Sequence, residues 1–166
     1  MRRSTVIIVR LFLMMAMLSL TPLMARAQDA TPPADPFAGV TIETLGNGAP
    51  PAAPGMVVVL LRITMAPGAL IPRHVHPGQV ILYVESGTFG TTFGDGDAVI
   101  TRAVTAGTPV AEAVQTNVEI TMLPGDSVSY SKVTTHIMHN IGDKPLVLLV
   151  SALLAADQPG FLFPAS

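Results

Sequence analysis

The chain contains no cysteine. That absence excludes disulfide bridges, thiolate metal sites, a cysteine nucleophile and a lipid attached to an N-terminal cysteine. Charge is also scarce, with Asp, Glu, Lys and Arg making up only 12% of the 166 residues. Four of the nine basic residues (Arg2, Arg3, Arg10 and Arg26) stand in the first 27 positions, which hold no acid. The remaining 139 residues carry five basic and eleven acidic side chains, a net charge of −6 with histidines neutral. That balance excludes nucleic acid as a partner, because phosphates need clustered Lys or Arg. No G-x-S-x-G nucleophile elbow occurs, and the glycines of "GTFGTTFGDGD" precede no helix, so a phosphate loop is excluded. Neither an internal repeat nor a second domain is visible.

What is present begins with an address. Arg2 and Arg3 give a positive start, an apolar run extends from Leu11 to Leu20 and loosely to Met24, and Ala25-Arg26-Ala27 precedes Gln28. This is the layout of a secretory signal over residues 1–27, whose apolar core spans ~7–15 residues. A membrane span needs ~20 apolar residues, and Arg10 interrupts too early for one. The expectation is therefore a secreted or periplasmic protein that leaves the membrane once the signal is cut. Paired arginines near the start also hint at twin-arginine export.

Residues 28–55 read as a leader rich in proline and glycine. A first strand is expected at Val40–Leu45, and "GNGAPPAAPG" (Gly46–Gly55) argues against regular structure. From residue 56 to 155 short β-rich runs alternate with Gly, Pro and Asp: "MVVVLLRITM", "QVILYVES", "TFGTTF", "AVITRA", "VEITML" and "PLVLLVSALLA". This spacing predicts an all-β antiparallel sandwich or barrel, with residues 156–166 as a tail. The last run could form a helix by apolar content alone, but its valines and its entry from "GDKP" favour a strand.

With cysteine absent, the histidines are the main chemical candidates. In "PRHVHPGQV" His74 and His76 fall on one face of a strand, with Val75 opposite. Two imidazoles held that way form a pincer for a divalent cation. A second cluster lies in "PGDSVSYSKVTTHIMHN" (Pro124–Asn140). There His136, Met138 and Asn140 share parity, which places His139 on the opposite, outer face. Tyr83 and Tyr130 can each line a cavity or pack outward.

These two segments resemble the two motifs of the cupin superfamily. Gly68, His74, His76 and Gly87 stand at the spacing of its first motif, and Gly125, His136 and Asn140 at that of its second. With flanking strands the likeness covers about Val57–Leu154. It implies a double-stranded β-helix, or jelly-roll, barrel with a metal held by His74, His76 and His136. The chain departs from the pattern at the metal-binding glutamate, whose place is taken by Val80, and at Ser131 and Val133 in the second motif. The gap from Gly87 to Gly125 implies an added or lengthened hairpin.

Three histidines without a carboxylate still make a documented metal set. Zinc, iron, copper and nickel are the candidates, while the loss of the glutamate weakens the hold on oxygen-loving ions such as manganese. Gln79 is a candidate fourth, neutral ligand if the "HPG" turn shifts the alternation, and Glu112 or Glu119 could fill the place from the inserted stretch. Metal release is expected below about pH 6, since free imidazole titrates near ~6.5. The resemblance implies a small-molecule ligand, and a homodimer through edge strands. It opens metal-dependent enzymes of dioxygenase, isomerase or lyase type. The missing carboxylate opens a non-catalytic ligand-binding or structural barrel with an altered or relic site.

Overall fold

The computed structural model describes residues 34–95, 97–104, 107–131 and 134–164. The expected signal segment, residues 1–27, lies outside them, as does the start of the leader. The described residues contain eleven strands and no helix: β1 (Val40–Gly48), β2 (Met56–Met65), β3 (Leu70–His74), β4 (Gly78–Ser86), β5 (Phe89–Phe93), β6 (Ala98–Thr101), β7 (Ala111–Ala113), β8 (Glu119–Met122), β9 (Ser127–Tyr130), β10 (His136–Asn140) and β11 (Leu146–Ala155). The strands form a seven-stranded sheet in the order β1-β2-β11-β4-β9-β6-β7 and a four-stranded sheet in the order β3-β10-β5-β8. All pairings are antiparallel, in a jelly-roll arrangement.

Period-two alternation explains the core. Along β4, Val80, Leu82 and Val84 are buried while Gln79, Ile81 and Tyr83 face out. Along β11, Leu146, Leu148, Val150, Ala152 and Leu154 point inward, which makes that apolar run a strand, as its valines and its turn suggested. The opposing sheet contributes Ile71, Phe89, Phe93, Met122 and Met138 to the same cluster.

Two expectations about boundaries meet the structure differently. The gap after Gly87 does carry an added hairpin, β6–β7, pinned by Arg102 to Glu112 at 3.2 Å and to Asp126 at 2.9 Å. The segment from Gly46, in contrast, is not wholly irregular. β1 continues through Gly46 and Asn47 to Gly48, because a bulge between Thr44 and Gly46 lets the strand keep pairing with β2.

Local chemistry then fixes the segments that carry the histidines. Gly78 opens β4 where any side chain would run into the Leu153 carbonyl of β11, so only glycine permits the strands to approach there. Buried Asn140 donates to the carbonyls of Met65 (2.9 Å) and Lys144 (2.8 Å) and accepts from the Gly142 N–H (3.0 Å). It thereby ties the end of β10 to β2 and to the following turn.

Candidate metal centre

His74 and His136 are register partners across the β3–β10 pair, so strand pairing alone sets them side by side. His76 lies just beyond β3, on the same face. Between the two, Val75 exchanges two backbone hydrogen bonds with Leu162 of the C-terminal segment, each 2.9 Å long. The imidazole centroids lie 4.2 Å (His74–His136), 5.0 Å (His74–His76) and 5.2 Å (His76–His136) apart. One ring nitrogen from each falls within 4.8 Å of the others, and all three side chains are buried.

The orientation of each ring is fixed from behind. Nδ1 of His74 meets the Pro72 carbonyl at 2.7 Å, Nδ1 of His76 the Gly160 carbonyl at 2.6 Å, and Nδ1 of His136 the Thr134 carbonyl at 3.2 Å. A carbonyl only accepts, so each Nδ1 carries the proton and each Nε2 keeps a free lone pair. The Nε2 atoms of His74 and His136 are buried with no hydrogen-bond partner. Leaving such a group unsatisfied costs ~1–3 kcal/mol, which a bound cation recovers. Backbone-anchored imidazoles with converging bare nitrogens are what a divalent metal requires. These residues fit a metal ion.

Burial also controls their charge. Desolvation lowers the pKa of His74 to about 4, opposed by its bond to the Pro72 carbonyl and helped by the neighbouring His76. Desolvation likewise lowers His76, and it drives His136 well below the ordinary imidazole value, reinforced by His74 and His76. Burial therefore favours the neutral, binding-competent form of all three.

The other candidates separate cleanly. Val80 is buried and lines the same cavity as His76. Gln79 is not brought to the histidines. Gly78 starts β4 without shifting the alternation, so Gln79 faces outward and its amide reaches only its neighbour's carbonyl, Val80 O, at 3.4 Å. Glu112 pairs with Arg102, and Glu119 lies 3.5 Å from His139 on the outer face of β10, so neither refills the site. Tyr83 points out and Tyr130 points in, its ring 4.5 Å from that of His136. Burial pushes the Tyr130 phenol up, which keeps it protonated.

The cavity beside the histidines has a volume of about 40 Å³. Its walls are Ile63, Leu82, Met138, Val150 and Leu154, with His76 and Tyr130 as the polar members and Phe161 on the C-terminal side. Phe161 and the Gly160 carbonyl are the parts that the sequence reading missed. The signal was present in "GFLFP", where alternation sends Phe161 and Phe163 to one face. Phe161 packs 5.1 Å from His74 and 4.9 Å from His76, and Phe163 lies 5.8 Å from His74.

Similarity to known proteins lies in the structure. No family model and no curated protein matches the chain. Among solved structures, a cupin 2 domain-containing protein from Halorhodospira halophila superposes with a TM-score of 0.50 at 16% identity, covering 78% of this chain and 72% of that one. The chain has the cupin fold. Looser cupin-fold likenesses include KdgF from Halomonas sp. (TM-score 0.47, 16% identity, 71% of this chain and 82% of that one). A cupin superfamily protein from Desulfitobacterium hafniense superposes at TM-score 0.44 and 16% identity, over 69% and 77% of the two chains. His74, His76 and His136 are the three histidines that converge, and Asn140 acts as the clamp behind β10.

A metal-free sample should lose stability in acid. The unfolded chain binds a proton at His74 near pH 6.5 and the folded chain only near 4, so stability is complete above 6.5 and declines as pH falls toward 4. His74 alone accounts for roughly 3 kcal/mol over that window. Urea midpoints of the metal-free protein at pH 7, 5.5 and 4 measure this, and a flat profile would contradict the buried neutral trio.

Proposed function

We propose that this chain is an exported cupin-fold protein that holds one divalent metal ion on His74, His76 and His136 and offers it to a small ligand in the adjoining cavity. The observation that carries this reading is the pair of buried, partnerless Nε2 atoms backed by carbonyl-anchored Nδ1–H groups. Zinc, iron, copper and nickel all suit an imidazole-only set. When bound, the metal supplies Lewis acidity toward an oxygen of the ligand. The protein's own residues hold that ligand in an apolar, water-poor space, with the protonated Tyr130 beside it.

An enzyme of dioxygenase, isomerase or lyase type is one use of such a centre, and a non-catalytic ligand-binding barrel is the other. The second reading is favoured by the lining of the cavity. Among the described residues that form it there is no carboxylate and no lysine, and Tyr130 is held in the form that cannot act as a base. Export rests on the layout of residues 1–27. Protein recovered from outside the cytoplasm should begin at Gln28 by N-terminal sequencing, and an intact Met1 start there would overturn the signal assignment.

Elemental analysis of the purified, untagged protein should find about one equivalent of a single metal. His136→Ala should abolish that occupancy, and His139→Ala, on the outer face, should leave it nearly unchanged; equal losses from both would contradict the parity of β10. Val80→Glu places a carboxylate on the cavity wall beside His76. It should raise the affinity for manganese relative to zinc by roughly tenfold or more, since a hard oxygen ligand suits manganese. It should also lower the stability of the metal-free protein, because the new carboxylate is buried. Competition titrations with both ions check the first effect and urea unfolding the second.

A further inference from the structure

The C-terminal segment after β11 returns across the histidines as a strap. Beside the packing of Phe161 on His74 and His76 and of Phe163 on His74, it has three separate attachments. One bridge joins Leu162 to Val75, the Gly160 carbonyl accepts from Nδ1 of His76, and Phe37 clasps Phe161 (centroids 5.1 Å apart) and Phe163 (5.9 Å) edge to face from the start of the described chain. None of these attachments belongs to the ladders of either sheet, so lifting the strap leaves the sheets paired. Behind it, Phe161 and Gly160 form part of the cavity wall.

Size and charge together define what the closed site can hold. The closed cavity, about 40 Å³, is well below the ~150 Å³ of a cavity that takes a benzene ring, so it admits only compact ligands. Three neutral imidazoles leave the full double charge of a bound divalent cation uncompensated, which draws an anionic head. Apart from His76 and Tyr130 the side chains of the wall are apolar and accept a short apolar remainder. Phe161 is the bulkiest wall residue that belongs to neither sheet, so it is the one whose removal enlarges the space without disturbing a strand.

We propose that Phe161, carried on the Gly160–Phe163 strap, is the size filter of this centre and restricts its ligands to compact monocarboxylates smaller than an aromatic acid. The proposal rests on the three-histidine metal reading given above. Cobalt(II)-loaded protein serves as the test, with its visible absorption spectrum reporting any carboxylate that reaches the ion. Wild type should respond to acetate and not to benzoate. Phe161→Ala should gain benzoate binding by at least about tenfold, the scale at which hydrophobic pockets discriminate by size. Phe37→Ala leaves the cavity lining untouched and only loosens the clasp. It should give an intermediate gain in benzoate binding, and it keeps the test open if Phe161→Ala folds poorly. A wild type that takes no cobalt would overturn the metal reading and the proposal with it. A cobalt-loaded wild type that binds benzoate as well as both variants do would overturn the size filter alone.

Discussion

Everything at the centre of this molecule depends on three hydrogen bonds that point away from it. By donating Nδ1–H to the carbonyls of Pro72, Thr134 and Gly160, the histidines surrender one nitrogen to the backbone and present the other as a bare lone pair. A free imidazole can exchange tautomers and rotate; one bonded to a carbonyl can do neither without breaking that bond. The three acceptors come from three different places: the strand before His74, the loop before His136, and the C-terminal strap. Strand pairing brings the first two together, and the strap supplies the third.

The same arrangement explains how a largely apolar barrel tolerates polar side chains at its heart. Charged imidazoles would be costly in this environment, and burial answers by holding all three neutral. Neutrality is also the state in which a nitrogen can bind a cation. The barrel thus has the protonation state it needs for ligation as a by-product of excluding water, with no carboxylate nearby to set it.

Much of this was legible in the sequence. The β-rich runs gave the all-β class, strand parity set His74 and His76 on one face, and the resemblance carried by Gly68, His74, His76, Gly87, Gly125, His136 and Asn140 implied the barrel and the third histidine. Parity also put His139 outside and left Val80, not a carboxylate, facing in. The mistaken candidates show where the rule needs help. Whether Gln79 could turn inward depended on the start of β4, and that was set by the close approach of Gly78 to Leu153, a tertiary contact that no local pattern contains. Glu112 and Glu119 were open for the same reason, since their partners Arg102 and His139 are known only once β6, β8 and β10 are arranged. The strap was overlooked because a short tail after the last strand carries no periodicity long enough to read, although its alternating phenylalanines were there to be seen.

One further consequence follows from the reach of the His76–Gly160 bond, which joins residues 84 apart in the chain. Together with the His74–His136 pairing, it means that the centre gathers segments from the front, the middle and the very end of the body. The complete trio cannot close before nearly the whole body is in place. An ion bound there and not by the unfolded chain acts as a cross-link across long loops, and adds its binding free energy to that of folding. In a chain without a single cysteine, a metal bound there would take the place of the staple that a disulfide otherwise provides.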